Sequence, residues 1–169
     1  MSEKALKQDT RLDFEETAED TQRGKYLTFA IGNETYGIEI RYVTEIIGIQ
    51  PITEVPEVPE YVKGIINLRG KIIPVIDVRL KFRKDAIPYD DRTCIIVIAL
   101  DTIIVGLIVD NVAEVLSIED DHIVPPPDAR TGFQNRYIKG IGNVDNNVKL
   151  LLDCELLLTD DEVEKIEAI

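Results

Sequence analysis

Two stretches of this chain match two later ones, and that internal repeat limits the possible folds more than any other feature. At an offset of 69 residues, 26–49 (YLTFAIGNETYGIEIRYVTEIIGI) falls on 95–118 (IIVIALDTIIVGLIVDNVAEVLSI), matching Ala30 with Ala99, Gly37 with Gly106, Val43 with Val112 and Glu45 with Glu114. At an offset of 76, the run YVKGIINLRGKIIPVIDVRL from Tyr61 falls on YIKGIGNVDNNVKLLLDCEL from Tyr137, matching Lys63 with Lys139, Gly64 with Gly140, Asn67 with Asn143 and Asp77 with Asp153. Two similar halves, about 25–86 and 92–158, follow from these offsets. Each is small for an independent core, so a third apolar layer between them is expected.

Within each half, Gly, Pro, Asn and Asp punctuate segments of four to eight residues rich in Ile, Val, Leu, Tyr and Thr, the pattern of short strands. Hairpins are expected for 26–31 with 35–40, for 65–68 with 71–76, and for 94–100 with 103–109. Pro51, Pro56 and Pro59 each lack a ladder donor, so their segment is an edge or a loop, as is Pro125-Pro126-Pro127. The predicted fold is all-β: two small five-stranded barrels related by an approximate two-fold. Residues 1–24, with seven acids, four bases and few apolar residues, read as a mobile acidic tail. Thr159-Asp160-Asp161-Glu162 has capping-box spacing and precedes Val163, Ile166 and Ile169, so a short C-terminal helix is expected over 159–169.

The 169 residues carry 32 acids against 19 bases, and a net charge of −13 makes nucleic acid and anionic membrane poor partners. No apolar run approaches the about 20 residues that span a bilayer, and the N-terminus lacks a secretory signal, so the cytoplasm is the expected compartment. Cys94 and Cys154, far apart and without neighbouring histidines, suggest core residues rather than a disulfide or a zinc site. His122 stands alone among Glu119, Asp120 and Asp121 and reads as a solvated loop residue. Gly140-Ile141-Gly142 lacks the rest of a dinucleotide fingerprint and repeats Gly64, which indicates a duplicated turn glycine; Asp145-Asn146-Asn147 reads as a hairpin turn. No cofactor, metal or catalytic constellation is expected.

Positions alike in both halves are fold requirements, whereas divergent ones are free to serve function. Arg69 corresponds to Asp145 and lies in the only basic concentration, with Lys71, Arg79, Lys81, Arg83 and Lys84. The lysines suit a solvated outer face; Arg69, at a hairpin tip beside Gly70, suits recognition or pairing with an acid such as Glu45.

The run VKGIINLRGKIIPVIDVR (62–79), preceded by YGIEIRYVTEI (36–46) and followed by VGLIVDNVAEVL (105–116), closely resembles the CheW family of bacterial chemotaxis coupling proteins, over about residues 25–158. The resemblance implies two SH3-like five-stranded barrels and a non-catalytic adapter between chemoreceptor cytoplasmic tips and the histidine kinase CheA. Carried over by motif position, Ile40, Val43, Ile46, Val105 and Gly106 would face the receptor from a groove between the barrels. Glu45, Gly64 and Arg69 would face the kinase. Related modules form the CheA regulatory domain and the front half of CheV, and an isolated module of either kind is the alternative. The absence of kinase motifs and of a receiver domain makes a stand-alone coupling protein the expectation.

Overall fold

The computed structural model describes residues 22–126 and 136–169. The expected tail lies outside the described residues except for 22–24. The described strands are β1 (Lys25–Ile31), β2 (Glu34–Glu39), β3 (Val43–Gly48), β4 (Val62–Leu68), β5 (Lys71–Asp77), β6 (Cys94–Ala99), β7 (Ile104–Val109), β8 (Asn111–Ser117), β9 (Ile123–Val124), β10 (Ile138–Val144) and β11 (Asn147–Leu152). A single helical turn, α1 (Val78–Lys81), follows β5, and α2 (Asp160–Glu167) follows β11.

The three expected hairpins form as β1–β2, β4–β5 and β6–β7, and Asp145-Asn146 turns the chain between β10 and β11. The two sheets, however, do not follow the two sequence halves. One has six strands in the order β8-β1-β2-β11-β10-β9, the other five in the order β3-β6-β7-β5-β4. Each half therefore lends its first hairpin to the other half's sheet. The joins are the two parallel pairings, β2 with β11 and β5 with β7. The all-β architecture of two SH3-like subdomains is as expected, while the ladders remain open and the division at 86–92 is a boundary in sequence only.

This exchange explains the unbroken apolar runs of β6 and β7. Their side chains alternate between two cores: Ile96, Ile98, Val105, Leu107 and Val109 enter a large cluster shared by both sheets, while Ile95, Val97 and Ile108 enter a smaller one inside the five-stranded subdomain. In β1 and β11, Leu27, Phe29, Ile31, Leu150 and Leu152 face the shared layer, whereas Tyr26 and Leu151 face the six-stranded subdomain's own core. A strand buried on both faces has no polar face to show in its sequence. The shared cluster is the expected third layer.

Repeated residues perform repeated tasks. Gly37 and Gly106 sit at the equivalent parallel crossings, where an added Cβ would lie 3.0 Å from Leu151 Cδ2 and 2.7 Å from Ile95 Cγ2 respectively. Asp77 and Asp153 each cap a helical turn, accepting from Leu80 N–H at 3.3 Å and Glu155 N–H at 3.0 Å. Gly140 and Gly142 lie inside β10 rather than in a turn; an added Cβ would lie 2.7 Å from Ile123 Cγ2 of β9 at Gly140 and 3.2 Å from Ile118 Cδ1 at Gly142. Cys154 is buried, which pushes its thiol up to about 12, and Cys94 is half-buried at the start of β6.

Charges stitch the subdomains together. Arg79 on α1 donates through Nε and Nη2 to the two oxygens of Asp110 at 2.8 and 2.6 Å, and the Gly32 N–H at the β1–β2 turn donates to the same carboxylate at 2.7 Å. Arg79 is thus a brace between the subdomains. Burial alone would raise the Asp110 carboxyl, but the hydrogen bonds from Arg79 and Gly32 hold it below the usual carboxylate range. A lowered native pKa stabilises the fold above the unfolded value, and that contribution disappears as the pH falls through the native value. Asp110→Asn should therefore lose about 1.5–3 kcal/mol at neutral pH in urea unfolding. The gap to the wild type should close as the pH falls from about 4 toward 2; a pH-independent gap would show that the carboxylate's charge plays no part.

Candidate functional site: an ionic clasp and an apolar strip on the five-stranded sheet

The strand register gathers nearly all the residues expected to serve binding onto one sheet. Glu45 pairs with Val97, Val97 with Gly106, Gly106 with Val75 and Val75 with Gly64, a single row running across β3, β6, β7, β5 and β4. Val43, Ile98 and Val105 form the adjoining row. Ile40 lies in the 3₁₀ turn leading into β3, and Arg69 lies in the β4–β5 turn.

These residues nevertheless divide by depth. Val105 is 0% exposed, in the shared cluster, and Gly106 is buried at a strand crossing where a side chain would collide with Ile95 and Val75. Both lie below the surface of the sheet, on the core side of the question the sequence leaves open. They support the floor beneath the expected groove. Gly64 is buried too: at φ +147° it sits where an added Cβ would be 2.0 Å from the Thr53 carbonyl oxygen. Thr53 and Ile65 exchange backbone hydrogen bonds of 2.9 Å there, tying the proline-bearing segment to edge strand β4. The requirement for glycine thus comes from a close backbone approach. Nothing near Thr53 in the sequence signals it, although the match of Gly64 with Gly140, where an added Cβ would lie 2.7 Å from Ile123 Cγ2, marks a demand of the fold.

Five residues remain at the surface. Ile40 and Val43 are half-buried and pack with Tyr42 against the shared cluster, and Ile46 is 43% exposed two strand positions away from the bulge in β3. Its repeat counterpart Val115 is 50% exposed, so this position faces outward in both subdomains. The 40–46 segment is an apolar strip along a sheet edge, partly seated on the core and partly open.

Beside it, Arg69 Nη2 donates to both oxygens of Glu45, at 2.6 and 2.8 Å. In the ladder β3 and β4 are opposite edges of the sheet, so this pair joins margins that share no strand pairing. Arg69 and Gly70 both have positive φ, +52° and +85°, and Asn67 Oδ1 accepts from Gly70 N–H at 2.9 Å. Asp145 and Asn146 repeat that geometry at +51° and +64° with residues better suited to it. An arginine held in a left-handed conformation by a turn that does not need it points to its guanidinium as the reason for its presence. Its side chain is 71% exposed, against 29% for Glu45, so the clasp presents free donors outward.

Lys81 departs from the basic face expected for its group. It is buried against Tyr61 and Tyr137 and pairs with Glu162 of α2. His122 is exposed in a 3₁₀ turn, beside a shallow depression lined by Asp121, Asn143, Asp145 and Asn146. Among the described residues, no group of His, Cys, Asp or Glu is arranged to hold a metal ion.

A family model described as the CheW-like domain matches residues 25–162. The chain belongs to the CheW-like family. It is 36% identical over 152 residues to the chemotaxis protein CheW of Klebsiella aerogenes, covering 90% of this chain and 92% of that one. It is 30% identical over 153 residues to the CheW of Treponema pallidum, covering 88% and 90%. The crystal structure of the scaffolding protein TtCheW from Thermoanaerobacter tengcongensis superposes with a TM-score of 0.75 at 35% identity, over 82% of this chain and 94% of that one. The CheW-like match spans both subdomains and α1, so the clasp and the strip lie inside it.

Two substitutions separate structure from surface at this site. Arg69→Asn relieves a left-handed arginine and removes an exposed ion pair of about 0–1 kcal/mol, so the denaturant midpoint should change little. Gly64→Ala forces Thr53 aside and should cost about 2 kcal/mol or more. Equal midpoints for the two variants would show that Gly64 is not bound by the close approach.

Proposed function

We propose that this protein is a non-catalytic adapter that couples the cytoplasmic tips of chemoreceptors to the histidine kinase CheA in bacterial signalling arrays, working in the cytoplasm. The observation that carries this reading is the pairing of two different surfaces on one sheet of a CheW-like fold: an apolar strip on β3 and an outward ionic clasp at the β4–β5 tip. An adapter needs two addresses held in fixed relation, and a hydrogen-bonded sheet supplies that rigidity. The scaffolding role named for the TtCheW structure agrees with it.

The division of labour follows from chemistry. A receptor tip is a helical hairpin, and helices are recognised by apolar grooves, so Ile40, Val43 and Ile46 would receive it. Val105 and Gly106 would act from below, by setting the height of the strip. Arg69 would meet the kinase through directional, charge-bearing hydrogen bonds, with Glu45 orienting its guanidinium and Gly64 fixing the edge on which the turn is carried. With net charge −13, the chain has no electrostatic reason to seek nucleic acid or lipid. Among the described residues, no helix is long and apolar enough to cross a membrane.

Co-sedimentation with a receptor signalling fragment and binding to purified CheA test this division on the same variants. Ile46→Glu should lower receptor affinity by about tenfold or more, the scale of a lost buried apolar anchor, and leave CheA binding intact. Arg69→Asn should do the reverse, losing about 1.5–3 kcal/mol toward CheA. If both variants lose both partners alike, or neither partner binds the wild type, the two-address reading fails.

A further inference from the structure

We propose that helix α2 is a releasable latch over the seam between the two subdomains, bolted by the Lys81–Glu162 pair, and that it folds and docks, or unfolds and departs, as one unit. The first support is the repeat. At the offset of 76, Lys81 falls on Leu157, and both positions are buried. A leucine satisfies the second copy of the fold, so packing alone does not call for an ammonium at the first.

The second support is the setting of that ammonium. The Lys81 side chain is 6% exposed, with Nζ 4.2 Å from the Tyr61 ring centroid and 5.3 Å from that of Tyr137, two residues that the repeat makes equivalent. Burial, and then the nearby Arg136 guanidinium, push its pKa down to about 8. The aromatic faces help to hold a cation, and Glu162 supplies its counter-charge.

The third support is that one carboxylate does two jobs. Glu162 Oε1 accepts from the Thr159 N–H at 3.2 Å, which with Thr159 Oγ1 accepting from the Glu162 N–H closes the capping box, while Oε2 takes Lys81. Helix start and helix docking therefore depend on the same group. An eight-residue helix is too short to persist alone in water, and α2 shares in no strand pairing. Apart from the bolt it is held by the burial of Ile166, which is 2% exposed, and by Val163. In the same seam the Tyr61 hydroxyl is buried with no hydrogen-bond partner, a penalty that water would relieve once the seam opens. Opening would bare the Tyr61–Tyr137 face and leave both sheets paired.

Hydrogen exchange followed by mass spectrometry on the full chain at neutral pH tests the latch. Glu162→Gln keeps an oxygen for the capping box and removes the charge; Lys81→Met keeps the apolar stem and removes the cation. In both variants the amides of 160–167 should exchange about tenfold faster or more, with protection in β1, β6, β7 and β11 unchanged. Unchanged exchange in α2 for either variant would overturn the proposal. So would a rise spread over the strands, because that would make Lys81 a brace of the core rather than the bolt of a latch.

Discussion

The burial of a single apolar layer by two sheets at once is the constraint on which this molecule depends. Each subdomain has a small core of its own, formed around Ile95 and Val97 in one and around Tyr26 and Leu151 in the other. Neither is large enough to hold a sheet of short strands together. The shared layer, reaching from Leu27 and Phe29 to Ile96, Val105 and Leu152, provides the remainder. Strands β1, β6, β7 and β11 are therefore mostly apolar on both faces, and charged side chains are pushed outward to edges and turns, where Glu45 and Arg69 are found.

Much of this was legible in the sequence because the repeat displays the chain's requirements twice. The hairpins, the shared layer, the capping box at Thr159 and the pairing of Arg69 with Glu45 could be read from spacing, residue type and comparison of the halves. The exchange of first hairpins could not, because hydrophobic alternation fixes which face a strand buries and says nothing about which neighbour it pairs with across a parallel crossing. Depth was equally hidden. Val105 and Ile46 are both aliphatic residues on strands of the same sheet, and only the completed packing separates a core residue from one left open. The repeat marks Gly64 as a fold glycine through Gly140, but not its reason, the Thr53 carbonyl, which lies eleven positions upstream in a segment without periodicity. Lys81 was grouped with its basic neighbours although the repeat had set it against a leucine.

The two halves differ most where charge is concerned. Arg41 and Asp110 occupy equivalent places at the offset of 69, and Glu155 and Arg79 do so at 76, so the brace of one subdomain has the opposite polarity in the other. On one side Arg79 grips Asp110 directly; on the other Arg41 reaches Glu155 through the Tyr42 hydroxyl, at 3.0 and 3.2 Å. Exchanged polarity lets two nearly alike units recognise each other in only one arrangement, since two like halves would bring like charges together. Once the halves are distinguishable, their outer faces can also diverge, and the arginine tip on one side answers to an aspartate tip on the other.

The interleaved strands also bear on how the chain comes off the ribosome. Hairpin β1–β2 emerges early, yet the strands that flank it, β8 and β11, are made after more than half of the protein, and β3 must likewise wait for β6. Until then strands β1 to β5 carry an apolar surface with no completed sheet to bury it, a long-range closure of the kind that slows folding and leaves nascent chains dependent on protection. A duplicated sequence suggests two modules that evolution or an engineer could part and recombine. The crossing of hairpins forbids it, because a cut between the halves severs both sheets.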